Sequence, residues 1–473
     1  MKIVQEGNKV KERKETTHQY SNKIIGFFYS FGEIGGQLSW YMINSYLTLF
    51  YTDVVSLSAA AISMIMLIAR ILSAVIDPIA GLAVDRTQTK WGRFRPYLFI
   101  IPSFLAIFNI STFTVFPVHG MTKVLLCLLL YIITGTLYSF ISIAHQGLVN
   151  RLSSDSQVKT GFAAARQIGS SVIGIILSAV AMPMILFFSN SKQVTNTGFF
   201  WTTVILSLAM IPFYFLCAWF CREKVQNTSQ VINVDQSVEK KSVGESLKLL
   251  WQNKPLLFVL FNTFFGAIAM MGRMSFLSYY VIYVVGSYSL VSVVMTMLTV
   301  GQLVGTMLAS TWSKYQDKRE ITLIDSFLTI FSLAGIFMFG SKSTILLIIF
   351  TLITGITNGV VNVISIGMIV DCIDYGDWKF GVRDEAFPFA MVSSMVKLAT
   401  ALCGAGGILL LAATGYKAGI TQPASVKNGI NVVVNLIPAG LYLLSILPIF
   451  FYKVSRKVID EVSSDLKQRR EEN

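Results

Sequence analysis

Charge is what this sequence has least of. Asp, Glu, Lys and Arg make up 13% of its 473 residues, about half the share of an ordinary soluble domain. Histidine and cysteine are scarce as well, with 3 and 5 copies. His18, His119 and His145 are scattered. Cys127, Cys217, Cys221, Cys372 and Cys403 have no histidine at ligand spacing, so no zinc site assembles. The chain has no Gly-x-Ser-x-Gly elbow and no phosphate-cradling Gly-Lys loop. Hydrolase chemistry and direct use of ATP are thereby excluded. We expect neither an enzyme nor a resident metal or cofactor.

Hydrocarbon is what abounds. The chain is 54% hydrophobic with a mean hydropathy of +0.63. Apolar runs of about 20 residues, the length that crosses a bilayer core, recur at 24–51, 58–83, 97–117, 121–148, 163–189, 196–221, 256–284, 288–310, 321–340, 343–370, 387–415 and 431–452. They predict an all-α membrane protein with twelve transmembrane helices. Residues 1–23 are polar and basic without an apolar centre, which marks a cytoplasmic arm and not a signal peptide. Residues 453–473 form a polar tail.

The net charge of +13 is a matter of topology. Most Lys and Arg fall in the N-terminal arm, the even-numbered loops and the tail. Lys123, Lys192, Lys342, Lys417 and Lys427 are the exceptions in the odd-numbered loops. This positive-inside bias puts both termini in the cytoplasm of a cell (plasma or inner) membrane protein. No nucleic-acid partner is implied.

The longest polar interruption, 222–254, separates a bundle at 24–221 from one at 255–452. Weak self-similarity supports the division. "SLSAAAISMIMLIARILSAVIDP" at 56–78 is similar to "SYSLVSVVMTMLTVGQLVGTM" at 287–307, and "ITGTLYSFISIAHQGLVN" at 133–150 to "ITGITNGVVNVISIGMIV" at 353–370. Two pseudo-symmetric six-helix bundles suit a rocking transporter that holds its substrate near the midplane.

Polar residues inside such helices normally face a cavity or pair with one another. In the first helix Ser30, Glu33, Gln37, Trp40, Tyr41 and Asn44 recur every three or four residues and form one stripe. The fourth helix repeats this with Tyr131, Thr134, Tyr138, Ser142, His145 and Gln146. The tenth offers Thr354, Asn358, Asn362 and Ser365, and the eleventh Ser393, Ser394 and Lys397. Hydroxyls, amides and aromatic rings suit a sugar, though such groups also serve as interhelical hydrogen bonds. His145 alone reads equally as a satisfied buried ring or a proton carrier. Positive Arg70, Arg166, Arg273 and Lys397 outnumber negative Glu33 and Asp77 at depth, an excess that favours an anionic sugar. Arg70 and Asp77 lie two turns apart on one helix face.

"ARILSAVIDPIAGLAVDRTQTKWGRFRPYL" at 69–98 resembles the second helix and following loop of the glycoside–pentoside–hexuronide:cation symporters, the melibiose-permease-like branch of the major facilitator superfamily. "FYTDVVSLS" at 50–58 and "DCIDYGDWKFGVRDEAFPFAMVSSMVKLATALCG" at 371–404 are similar to other segments of that family. The resemblance implies the major facilitator fold and cation-coupled import of a glycoside, pentoside or hexuronide. It implies a cation site at Asp77 with Ser73, Arg70 and Lys397, and a substrate arginine at Arg166. It also implies a cytoplasmic gate in which Asp85, Arg86, Arg93 and Arg95 pair with carboxylates such as Asp371 and Asp374, or with helix ends, of the facing half.

The departures bear on substrate and coupling ion. Ser73 and Ile76 stand where melibiose permeases carry an aspartate and an asparagine. Ile34 and Ser142 replace acids, Gln146 a tryptophan, and Glu33 a lysine. A galactoside is disfavoured. With one carboxylate and one hydroxyl left on helix two, a proton is favoured over sodium, which wants several oxygen ligands at once. The alternatives are a drug or metabolite exporter of the same superfamily and an uncoupled sugar facilitator. The expected partners are a small sugar or glycoside and the lipid bilayer, with the protein a monomer.

Overall fold

The computed structural model describes residues 2–153, 156–191, 193–223, 250–381, 386–417 and 422–471. Hydrocarbon leaves a backbone no water to bond, so each segment satisfies its own amides as helix. The first six helices are α1 (Lys2–Leu49), α2 (Ala59–Arg86), α3 (Arg95–Thr112), α4 (Gly120–Leu152), α5 (Ser156–Ser189) and α6 (Asn196–Phe220). The second six are α7 (Lys254–Tyr279), α8 (Ser289–Trp312), α9 (Lys318–Phe339), α10 (Thr344–Phe380), α11 (Ala386–Ala413) and α12 (Ala424–Phe450). A tail helix, α13 (Arg456–Glu471), follows, and the described residues contain no strand. These twelve helices coincide with the twelve expected spans. Among the described residues, ten are long and apolar enough to cross a membrane; α1 and α3 are not among them. α1 carries Glu33, Gln37 and Asn44, which lower its hydropathy.

Most of the expected central loop lies outside the described residues. The expected arm at 1–23 continues α1 as helix from Lys2.

The chain forms two compact units. The first comprises Met1–Leu47, Ile71–Leu177 and Met184–Val231; the second comprises Thr48–Arg70, Ser178–Pro183 and Ile232–Asn473. In the first, α3 packs on α4 and α6. Asn109 on α3 donates to the Ser39 carbonyl at 3.0 Å and to Ser207 Oγ at 3.1 Å. Thr112 and Thr134 share a hydrogen bond of 3.0 Å.

In the second unit the tightest contact joins α8 and α10. Gly301 and Gly305 on α8 face Gly355 and Gly359 on α10, each pair one helical turn apart. A Cβ at Gly305 would lie 1.9 Å from the Ile356 carbonyl oxygen, and one at Gly359 2.1 Å from that of Gln302. The backbones thus touch directly, the close approach that paired small residues permit in membranes. α7 is held to α12 by Asn262, which donates to the Ser445 carbonyl at 2.9 Å. α13 clamps the C-terminal end of α10 through Trp378, whose indole donates to Asp465 at 2.9 Å.

Gly305→Ala should destabilise the protein by about 1–3 kcal/mol or more, because the obstructing atom is backbone. Gly406→Ala, where an added Cβ meets nothing within 4 Å, is the matched control. Thermal unfolding in detergent measures both; equal midpoints would remove the glycine contact from the account.

Candidate functional site

The stripe expected on the first helix forms a working surface in the first unit. Glu33, Gln37 and Trp40 project from one face of α1, at helical i, i+4 and i+7 spacing. Gly32 just before Glu33, and Gly35 and Gly36 after it, have no side chains, so rings from α4 and α6 close onto the α1 backbone. A Cβ at Gly32 would strike the His145 ring at 2.4 Å, and one at Gly35 the Tyr214 ring at 2.9 Å.

Arg166, on α5, reaches Glu33: its Nε lies 3.6 Å from Glu33 Oε2. His145 Nδ1 on α4 is 3.9 Å from the same oxygen. Glu33 and Arg166 retain 24% and 33% of their side-chain exposure, whereas His145 keeps 3%. One turn along, Gln37 donates to Ser170 Oγ at 2.9 Å. Trp40 and Tyr138 stack with centroids 4.4 Å apart. A carboxylate, a guanidinium, an amide and an aromatic pair therefore share one wall, a set that can bond vicinal hydroxyls and cover an apolar sugar face.

His145 belongs to the scaffold of this wall. Its Nε2 bonds the Tyr29 carbonyl at 2.9 Å, and the Tyr29 hydroxyl donates to the His145 carbonyl at 3.0 Å. The two rings stack at 4.4 Å. The His145 ring is buried, with Nε2 satisfied in this way. Its Nδ1 is still aimed at Glu33.

Other expected members lie elsewhere. Gln146 is exposed and bonds Ser142 on its own helix at 3.0 Å. In the second unit, Asn358 accepts a 2.7 Å hydrogen bond from Tyr442, which ties α10 to α12. Asn362 and Lys397 are exposed there. Ser73 and Asp77 are part-buried on α2 of the first unit, and Arg70 is part-buried in the second.

The loop between α2 and α3 is held by contacts within its own unit. Glu223, just beyond α6, accepts hydrogen bonds from the backbone N–H groups of Arg93, Phe94 and Arg95, at 2.8–3.3 Å to Oε1. Arg95 Nε donates to the Ala218 carbonyl at 2.7 Å, and its NH1 to Trp91 at 3.2 Å. Arg95 thus caps the C-terminus of α6. Half-burial, then nearby Arg222, hold its guanidinium below the ordinary pKa, though it stays charged. Gly92 turns the loop at φ +106°, a left-handed conformation natural to glycine. Arg86 is exposed, and the Asp85 side chain lies outside the described residues. Asp371 also pairs at home, accepting from Lys318 Nζ at 2.8 Å. Asp374 lies one turn further along α10.

Two residues of consequence escape the sequence pattern. Glu223 looks like an ordinary loop acid until the fold places it under three amides. Asp325, inside the ninth span, is buried to 2% on α9; hydropathy averaging hides a single acid near a helix end.

Comparison with known proteins gives a consistent result. A family model described as MFS/sugar transport protein matches residues 28–456. The chain is 30% identical over 452 residues to an isoprimeverose transporter of Lactiplantibacillus pentosus, spanning 94% of this chain and 91% of that one. It is 28% identical over 450 residues to a glucuronide carrier protein homolog of Escherichia coli, spanning 94% and 95%. The fold is similar to that of the nucleoside transporter NupG, with a TM-score of 0.63 at 14% identity, covering 91% and 99% of the two chains. The inward open xylose transporter XylE of E. coli has a TM-score of 0.61 at 12% identity, covering 94% and 99%.

The Glu223 cradle carries a testable consequence. Charge-assisted hydrogen bonds are worth about 1.5–3 kcal/mol each at most, so Glu223→Ala should release the α2–α3 loop. Trypsin should then cleave after Arg93 several-fold faster than in the parent, Arg95 being protected by the following Pro96. Unchanged cleavage would mean that the loop holds itself.

Proposed function

The chain belongs to the MFS/sugar transport protein family, and from that premise we propose that it imports a glycoside, pentoside or hexuronide together with a proton. The observation that carries this reading is the wall on α1, α4 and α5, where Arg166, Glu33, Gln37 and the Trp40–Tyr138 pair converge. Hydrogen-bonding groups for hydroxyls and a ring pair for an apolar face match a sugar better than the wide apolar cavity of a drug exporter. The names of the two relatives point to the same class of cargo, one to isoprimeverose and one to glucuronides. The protein acts as a monomer in the cell membrane with both termini cytoplasmic, as the distribution of Lys and Arg supports.

The first unit offers two acids for the coupling cation, Asp77 on α2 and Glu33 on α1. Sodium wants several oxygen ligands at once, and Ser73 and Ile76 stand where melibiose permeases carry an aspartate and an asparagine, which favours a proton.

Isothermal calorimetry of the purified protein against isoprimeverose and methyl β-D-glucuronide tests the substrate class. At least one should bind, and Arg166→Ala should weaken it at least tenfold while leaving a monodisperse protein. Failure of both sugars, or undiminished affinity in Arg166→Ala, would sink the reading. In vesicles at clamped potential, uptake should follow an inward proton gradient and ignore sodium. Several-fold stimulation by sodium at constant pH would exclude the proton.

A further inference from the structure

We propose that Glu33, not the family-matched Asp77, is the acid that takes up the transported proton, with His145 as its hydrogen-bond acceptor and Arg166 as the switch that links protonation to substrate. The inference rests on the glycoside-symport reading and deepens it.

The tautomer of His145 is fixed by its partner. A backbone carbonyl can only accept, so the 2.9 Å contact with Tyr29 O requires a proton on His145 Nε2. A buried ring beside a guanidinium is held neutral, because the one carboxylate within reach already answers Arg166 and a second cation there would be unhydrated with no counter-charge of its own. Neutral imidazole carries one N–H, so Nδ1 presents a bare lone pair. That lone pair faces Glu33 Oε2 at 3.9 Å. An ionised Glu33 also presents only lone pairs, and the two acceptors stand slightly apart. A protonated Glu33 could close that gap and donate to Nδ1.

Arg166 decides which form prevails. At 3.6 Å from Glu33 Oε2 it stabilises the carboxylate. The same guanidinium is the strongest donor for a sugar on this wall, and its fork can serve vicinal hydroxyls or a sugar carboxylate. When a ligand draws Arg166 away, Glu33 is left without a counter-charge in a part-buried site. One proton from the outer water then adds to the Glu33 carboxylate, forming an O–H bond directed at His145 Nδ1. No other bond changes. Release of the ligand returns Arg166 to Glu33 and expels the proton. The other titratable groups around Glu33 are Tyr29 on α1, Tyr138 on α4 and Tyr214 on α6, phenols that stay neutral throughout. Substrate and proton therefore bind together by exchange of a single cationic partner.

Two measurements decide the matter. In calorimetry with whichever of isoprimeverose and methyl β-D-glucuronide binds, buffers of different ionisation heat at one pH report the protons taken up per ligand. The parent should take up a substantial fraction of one proton, and Glu33→Gln none, whatever its affinity. Binding without proton uptake in the parent would overturn the proposal while leaving glycoside binding intact. So would uptake that persists in Glu33→Gln, or that is lost in Asp77→Asn alone. The second measurement needs no ligand: infrared titration of the protonated-carboxyl stretch. Arg166→Gln mimics withdrawal of the counter-charge and should gain a protonated-carboxyl band near neutral pH. The Arg166→Gln/Glu33→Gln double variant should lack that band. If the band is absent from the single variant, or survives in the double, Glu33 is not the proton site, even where neither sugar binds and the substrate reading has failed on its own.

Discussion

A polar side chain in hydrocarbon has no water to fall back on, and both units are organised by where each such group finds a partner. The cheapest answer is local: Thr112, Thr263, Thr306, Thr322 and Thr400 each donate to the carbonyl four residues earlier. The next answer joins helices. Asn109 grips the backbone of α1, Asn262 that of α12, and Asn253 the Cys372 carbonyl on α10 at 2.8 Å. Tyr29 and His145 each bond the other's carbonyl, bracing α1 against α4. What distinguishes the candidate site is that its groups are not fully absorbed in this way. Glu33 and Arg166 answer each other while staying partly exposed, so a ligand can compete for them.

How much of this the sequence discloses depends on the length over which a signal is averaged. Membrane spans declare themselves because twenty residues contribute, and all twelve lie on observed helices. The stripe on α1 is also legible, since Glu33, Gln37 and Trp40 keep helical spacing and share a face. Periodicity cannot say which neighbour a stripe faces. Tyr138 and Asn358 occupy matching positions in the two repeats, yet Tyr138 stacks on Trp40 while Asn358 is taken up by Tyr442. Pairings made across long sequence separations leave no local trace, as with Glu223 beneath the Arg93–Arg95 amides. The charged loop is the instructive case. Its Trp-Gly-Arg-Phe-Arg-Pro order looks designed for a distant partner, but Arg95 and three backbone amides are satisfied within their own unit.

The repeat itself gains support from backbone geometry. The first helix of each half ends in a π-helical turn, Phe50–Val54 after α1 and Tyr280–Val285 after α7. The ends of these turns, Val54 and Val285, are as far apart in sequence as Ser56 and Ser287 in the repeat. A wide turn is uncommon, and its recurrence at matched positions is hard to attribute to chance similarity among apolar helices. The same alignment places Arg70 opposite Gly301 and Ala74 opposite Gly305. The second half uses those positions for backbone contact between α8 and α10. The first half, with an arginine there, cannot repeat that contact. The first half carries instead the Arg166–Glu33 pair.

That pair changes the electrostatic argument about cargo. Arg70, Arg166, Arg273 and Lys397 against Glu33 and Asp77 suggested an excess of positive charge suited to an anionic sugar. The Arg166–Glu33 pair is balanced within itself, so Arg166 brings no excess charge to the site. Neutral and acidic glycosides therefore start on more equal terms, and the difference between them moves to energetics. A proton carried with a neutral glycoside moves one charge across the membrane, so the potential contributes about 2.3 kcal/mol per 100 mV to accumulation. A proton carried with a hexuronide anion moves none, and only the pH difference drives uptake. Under the proposed exchange of partners at Arg166 either cargo could be carried, and the charge on the sugar would determine whether the cell's membrane potential helps to fill the cell.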